Sequence, residues 1–242
     1  MRLVSWNIRG GKHPGVVDSA VALEPDVAVL VDCKEKHAKR IINEASSRGY
    51  KHHLESQLGY TGIVMISRHP LTQGEIKQDQ APQRWLHARS EHLDLEIAAV
   101  YGPLPKAIGT EPTMDDFWNW LTPACDLIVD RKAVLCGDFN TGVDEVDGPP
   151  KYRFRGASPF TDLGAHGWRD AYRALHPEGK HGSWWNKERG FRIDHCMLSR
   201  GLAVPRQIDY LRQMADIGPS PSSPSEAVMP AISDHAAMVI DF

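Results

Sequence analysis

Cysteine is scarce in this chain: Cys33, Cys125, Cys136 and Cys196 are the only four among 242 residues, and no two form a Cys-x-x-Cys pair. That excludes a disulfide-stapled scaffold and a cysteine-rich zinc module, and it fits a reducing cytoplasmic setting. Long apolar runs are missing too. No segment approaches the roughly 20 residues that span a bilayer, so no membrane partner is expected. The start, Met1-Arg2-Leu3-Val4-Ser5-Trp6-Asn7, is too short an apolar stretch for a secretory signal. An excess of positive charge is also lacking: 28 Lys+Arg stand against 31 Asp+Glu, a net charge of −3, which argues against a general polyanion coat. The 12 histidines include no His-Glu-x-x-His motif, which disfavours a zinc hydrolase. Ser5 and Ser233 lie near acids and a histidine but in no nucleophile elbow, so acyl transfer is disfavoured as well. Nothing implies an obligate protein partner.

What is present is an ordinary globular balance, 41% hydrophobic and 24% charged, with enough chain to bury a sizeable core. The pattern predicts a strand over Leu3 to Ile8, a helix over Val16 to Leu23, a buried strand over Asp26 to Val31 and a helix over Lys34 to Ser47 stopped by Gly49. From Tyr50 to Val100 strands follow one another with little helix between, including Gly62 to Ser67, Trp85 to Ser90 and Leu93 to Tyr101. Antiparallel pairing through short turns follows. Thr113 is a predicted N-cap for a helix to Asp130, and Ala133 to Cys136 a buried strand. Gly142 to Ser158 is expected as a loop, Asp170 to Leu175 as a short helix, and Phe191 to Leu198, Ile208 to Leu211 and Ala236 to Ile240 as strands. Gly218 to Pro230, with its Pro-Ser-Pro-Ser-Ser-Pro core, is expected as a long loop within one domain covering 1–242. The result is an α/β protein with two sheets.

Polar residues recur where these strands end: Asn7, Asp32, Tyr101, Asp138 with Asn140, Asp194, and Asp234-His235. Any one alone is a common turn or cap residue. Together, strand ends are rigid points from which functional groups are presented. Ser5-Trp6-Asn7, Val31-Asp32-Cys33-Lys34, Gly59-Tyr60-Thr61-Gly62-Ile63, Val100-Tyr101-Gly102-Pro103, Gly137-Asp138-Phe139-Asn140, Arg192-Ile193-Asp194 and Ser233-Asp234-His235 resemble, in order, the endonuclease/exonuclease/phosphatase superfamily. Trp168 to Pro177, Ser183-Trp184-Trp185 and Gly190 to Asp194 look like its exodeoxyribonuclease III and apurinic/apyrimidinic endonuclease branch. The resemblance implies a four-layer αββα sandwich of two packed mixed β-sheets flanked by helices, and phosphodiester hydrolysis assisted by Mg²⁺ or Mn²⁺ with DNA as the partner.

On that resemblance Asn7, Asp32 and Asp234 hold the principal metal; oxygen ligands suit such hard cations, which need only one or two protein carboxylates. Asp138 matches the position that takes a proton from water, Asn140 bonds phosphate or water, and Tyr101 donates to phosphate or the leaving group. His235 stabilises phosphoryl charge, with Asp194 holding its imidazole in one tautomer. Whether Asp138 or His235 is the general base is open at this point. So is a second metal, which would add Asp138, Asn140 and His235 as ligands. Trp184, Phe191 and Ile193 match the apolar pocket that receives a flipped, baseless deoxyribose. Three positions depart from the family pattern: Asp32 stands where Glu is usual, Arg9 where an acid or amide is usual and could grip a phosphate, and Leu104 where an amide is usual. Two further hypotheses stand beside a DNA nuclease: the same fold hydrolysing a small or lipid phosphoester, and a catalytically inactive binding module. Residues 151 to 192 carry nine Lys/Arg against four Asp/Glu, and Lys151-Tyr152-Arg153-Phe154-Arg155 interleaves cations and rings as a strand-tracking surface would.

Overall fold

Alternation within one strand shows how the layers are set. In β2 (Val27–Cys33) the side chains of Val27, Val29 and Val31 enter one buried cluster and those of Ala28 and Leu30 enter another; successive strand residues face opposite ways, so a strand apolar on both faces must be covered on both. The structure, a computed structural model, describes residues 1–104, 112–186, 189–211 and 232–242. The proline- and serine-rich stretch Gly218 to Pro230 lies outside them.

Beside β2 runs β1 (Arg2–Gly10) in parallel, extended by β14 (Ala237–Asp241) and β13 (Gln207–Leu211) on one side and by β4 (Ile63–Ser67) and β3 (His52–Glu55) on the other, all antiparallel. The second six-stranded sheet has the order β5 (Thr72–Gln73), β6 (Trp85–Ser90), β7 (Leu95–Tyr101), β8 (Ala133–Asp138), β12 (Asp194–Leu198) and β9 (Arg169–Asp170). Only β7 and β8 are parallel within it. Leu3, Val29, Val31, Ile63 and Met65 from the first sheet pack against Leu86, Ile97, Ala99, Val134, Cys136 and Leu198 from the second. Each Val, Leu, Ile and Met side chain among them contributes about 1.5–3 kcal/mol by leaving water.

Helices cover the outer faces. α1 (Val16–Ala22) and α2 (Glu35–Ser47) pack on Val4, Trp6, Ile8 and Leu30; α2 does so through Ala38, Ile41 and Ala45, spaced three and four apart on one stripe. On the second sheet, α3 (Met114–Asp126) applies Phe117, Trp118 and Leu121 to Ala98, Val100 and Leu135. Thr113 caps it as expected: its hydroxyl accepts from Asp116 N at 3.1 Å while the Asp116 carboxylate accepts from Thr113 N at 3.0 Å. The layers therefore run helix, sheet, sheet, helix, and the α/β sandwich expected from the chain is the fold observed.

Several boundaries differ. The helix expected to Asp130 ends at Asp126, where Leu127 and Ile128 bond back three residues in tighter turns. The strand expected over Phe191 to Leu198 is two, β11 (Arg189–Phe191) and β12. It breaks because Arg192 N donates to Asp147 O in a loop and Ile193 O accepts from Phe139 N, leaving no ladder partner between. β11 instead pairs with β10 (Trp184–Asn186) as a separate hairpin. The loop expected over Gly142 to Ser158 runs into α4 (Ala157–Asp162), and Asp170 caps rather than begins α5 (Ala171–Leu175), accepting from Tyr172 N and Arg173 N.

Candidate active site

Both sheets end their central strands at the same edge. β1 carries a bulge between Asn7 and Gly10, with Arg9 at φ +48° and Gly10 at +79°, and β2 reaches Asp32 at φ +56°. In the second sheet Tyr101, Asp138 and Asp194 lie side by side, since Tyr101 pairs with Asp138 and Asp138 with Asp194. Asn140 follows at φ +52°. Left-handed conformations at non-glycine residues cost energy and cluster where side chains must be aimed. Gly137 permits the approach of β7: a Cβ there would sit 2.0 Å from Val100 O, and its φ is +140°.

Asn7, Arg9, Asp32, Tyr101, Asp138, Asn140, Trp184, Phe191, Ile193, Asp234 and His235 all line one cavity of about 350 Å³. Asp194 lies beneath it, buried. At the floor, Asn7 Nδ2 donates to Asp138 Oδ2 at 2.9 Å and Asn140 N donates to Asp138 Oδ1 at 2.8 Å. His235 Nδ1 is 2.8 Å from Asp194 Oδ2, while its Nε2 is 4.0 Å from Asp138 Oδ2. Burial, and then the Asp194 charge, push the Asp138 carboxyl above its usual range. Burial disfavours the His235 imidazolium, but Asp194, Asp138 and Asp234 together outweigh that and raise it. Ser183 Oγ, itself buried, accepts from Ile193 N and Asp194 N, both at 3.0 Å, and so sets the backbone that carries the carboxylate.

The upper part of the site offers oxygens. Thr61 Oγ1 donates to Asp32 Oδ1 at 2.7 Å and Trp184 Nε1 to Asp234 Oδ2 at 3.1 Å, so each carboxylate keeps a second oxygen. Asn7 Oδ1 accepts from Arg9 N at 3.0 Å with one of its two lone pairs. Hard oxygen donors of this kind fit a divalent cation such as Mg²⁺ or Mn²⁺. Among the described residues, ligand atoms of Asp138, Asp194 and His235 also lie within 4.8 Å of one another. Arg9 projects over this region, its Nε 3.8 Å from Asp234 Oδ1.

The rest of the lining is apolar and is larger than the chain's motifs show. Trp184, Phe191 and Ile193 are joined by Phe154 and Tyr152, with Leu104 beside them. The alternation of Lys151 to Arg155 was the available signal, but it marks a pocket wall more than an outer track. Arg153 is spent on Asp144 and Glu145. The basic excess of residues 151 to 192 is likewise reduced: Arg192, 1% exposed, is held by Asp147 and Asp170, and Arg173 by Asp147. Thr61 and Ser183 appear in the quoted motifs, yet only the fold reveals which groups they hold.

Two mixed sheets packed face to face, with carboxylates, amides and a histidine gathered where their strands end, define a hydrolase of the DNase I-like sandwich class. The sequence profile of the Endonuclease/Exonuclease/phosphatase family matches residues 4–235, and the chain belongs to that family. The DNA repair nuclease APEX1 of Danio rerio is 27% identical over 233 residues, covering 84% of this chain and 74% of that protein. An AP endonuclease from Archaeoglobus fulgidus superposes with a TM-score of 0.81 at 16% identity, and the 3′-5′ exonuclease NExo from Neisseria meningitidis with 0.77 at 21%. Each alignment covers 100% of this chain and 99% of the other, and at these identities the likeness concerns the fold. No helix among the described residues is long and apolar enough to cross a membrane.

Proposed function

We propose that this chain is a divalent-metal-dependent phosphodiester hydrolase of DNA, one catalytic domain over 1–242 that cuts at abasic sites, at 3′ ends or both with an activated water. The observation that carries this reading is one cavity lined both by oxygen donors and by apolar, aromatic side chains. A phosphodiester needs the first and an extrahelical sugar the second. The relationship to a DNA repair nuclease supports DNA over a small phosphoester. Four buried cysteines, all free, agree with a cytoplasmic setting.

Asn7, Asp32 and Asp234 hold the principal ion, with Asp138, Asn140 and His235 available to a second. Mg²⁺ or Mn²⁺, when bound, neutralises the phosphoryl oxygens and acidifies water. Asp138 takes the proton of the attacking water; hydrogen bonds from Asn7 and Asn140 fix both of its oxygens, so the carboxylate is aimed before substrate arrives. His235, its Nδ1 engaged by Asp194, presents Nε2 to a non-bridging oxygen. Tyr101 donates to phosphate or the leaving oxygen, and Arg9 grips a phosphate. Trp184, Phe191 and Ile193 receive the sugar.

The test is a labelled duplex carrying one abasic-site analogue, incubated with Mg²⁺, with Mn²⁺ and with EDTA. Cleavage is expected with either metal and none with EDTA. Equal cleavage in EDTA would remove the metal-hydrolysis reading; cleavage of a small phosphodiester with every DNA substrate intact would replace DNA by a small phosphoester.

A further inference from the structure

Tyr152 is not among the residues that the chemistry requires, yet it lines the same cavity as Asp138 and His235. It is 40% exposed although it packs beside a buried aromatic cluster. Its contacts explain how it is held without being covered. The ring meets Phe154 at 4.8 Å between centroids and 77° between planes, and Phe191 at 4.9 Å and 71°. Both are edge-to-face contacts, which leave ring surface open where a stacked pair would hide it.

The loop that carries Tyr152 is built to keep it there. Tyr152 N donates to Pro149 O, Glu145 N donates to Tyr152 O, and Phe154 N donates to the Asp144 carboxylate at 2.7 Å. Arg153 pairs with Glu145 and Asp144, on the same loop. Asp147, buried, ties the loop to the rest of the site: it accepts from Val143 N, Arg173 and Arg192, and its carbonyl accepts from Arg192 N at 2.7 Å. Arg192 stands between two wall residues, Phe191 at the end of β11 and Ile193 just after it. The ring and its neighbours in the wall are therefore fixed to one another, and little ordering entropy is left to lose when a ligand enters.

A fixed, half-open aromatic ring lining the cavity that also holds oxygen and guanidinium groups suited to a phosphate suits a flat heterocycle attached through a sugar to that phosphate. We infer that Tyr152 is a specificity-determining residue whose ring stacks on one unstacked nucleobase beside the scissile phosphate. The inference rests on the DNA reading above and adds a substrate class to it: strands with a free or frayed base at the cut, in addition to baseless sugars. Stacking of this kind tolerates any base, because every base has a π-face.

The experiment compares the whole chain with Tyr152→Ala and Tyr152→Phe on two oligonucleotides of equal length, one with an ordinary base and one with a baseless tetrahydrofuran residue at the cut position. On the base-bearing strand Tyr152→Ala is expected to raise KM on the order of tenfold relative to the baseless strand, and Tyr152→Phe to restore the ratio. In EDTA, a 2-aminopurine at the same position is expected to be quenched on binding by the native protein and by Tyr152→Phe, and not by Tyr152→Ala; a purely structural role for the ring would not move that signal. Equal loss on both strands, or no change in the KM ratio with quenching retained in Tyr152→Ala, overturns the inference while leaving DNA hydrolysis intact. If the native protein cuts neither strand with Mg²⁺ or Mn²⁺, the DNA reading itself fails and this inference fails with it.

Discussion

His235 and His87 are both buried, and each has a carboxylate oxygen close by: Asp194 at 2.8 Å for His235, Glu96 at 3.0 Å for His87. They are tuned in opposite directions. Burial disfavours the charged ring in both, but around His235 the Asp194 carboxylate is joined by Asp138 and Asp234, and the imidazolium is favoured. At the far end of β6 and β7, burial prevails over Glu96, whose charge is shared with Arg131, 3.1 Å away, and His87 stays below its ordinary value. His87 Nδ1 instead accepts from Ile76 N at 3.3 Å, a bond that needs the neutral ring. A histidine and carboxylate within hydrogen-bond reach are thus no signature of catalysis. The charges around the pair, and whether a ring nitrogen faces a cavity, are what set the two pairs apart.

The largest expected effect comes from the pocket end. Asp138→Asn should lower kcat on an abasic duplex by about 10²–10⁴-fold. Its thermal midpoint should equal or exceed that of the native chain, because a buried carboxyl with a raised pKa is destabilising when ionised. Loss of both activity and stability would show that Asp138 supports the fold as Glu96 does.

Glu96→Gln should invert that outcome. It leaves Arg131 and His87 without their shared anion and should cost about 1–3 kcal/mol in urea unfolding, with cleavage rate within twofold of native. A matching fall in rate would erase the contrast between the two ends.

Next is pH. His195, fully buried and close to the Arg192 charge, is lowered to about 4, and His87 is lowered as well. Below pH 6.5 the unfolded chain takes up protons at these histidines while the folded chain does not, so stability is present above 6.5 and is lost as pH falls. From pH 6.5 to 4, His195 alone accounts for roughly 3 kcal/mol. Asp138, raised to about 7, takes up a proton in the fold over the same range and offsets this loss, so the check is a difference: between pH 7 and 5 the urea midpoint of His87→Gln should fall less, or rise more, than that of the native chain, and an identical slope would mean that His87 is already protonated in the fold.

The smallest effect is expected from Thr61→Ala, which frees one oxygen of Asp32. Metal titrations of cleavage should shift the half-activating concentration by about 10-fold, at the low end for such supporting hydrogen bonds. No shift would separate Asp32 from metal binding.

Much of the site was legible because strand ends punctuate an α/β chain with polar residues in a recurring order: Asn7, Asp32, Asp138, Asp194 and Asp234 were found from that order and share one end of the sandwich. Thr113 was legible as a cap for the same reason, since its signal is local. Arg192 was not. In the chain it reads as part of a basic stretch, yet two carboxylates 22 and 45 residues away draw it inside. In the chain Tyr152 reads as part of a strand-tracking surface, because nothing local shows that Phe191 from a distant hairpin forms its neighbour.

The sequence by itself determined an α/β chain with two sheets and the residue types at the site, because periodicity, caps and short motifs act over a few residues of backbone, and the resemblance of those motifs to a family implied the packed sandwich. Tertiary structure alone decided which charges face which. The opposite tuning of His235 and His87, the inward turn of Arg192 and the placement of Tyr152 in the lining of the cavity depend on distances between segments far apart in the chain. Electrostatic and stacking energies depend on such distances and on burial, and no local pattern encodes either.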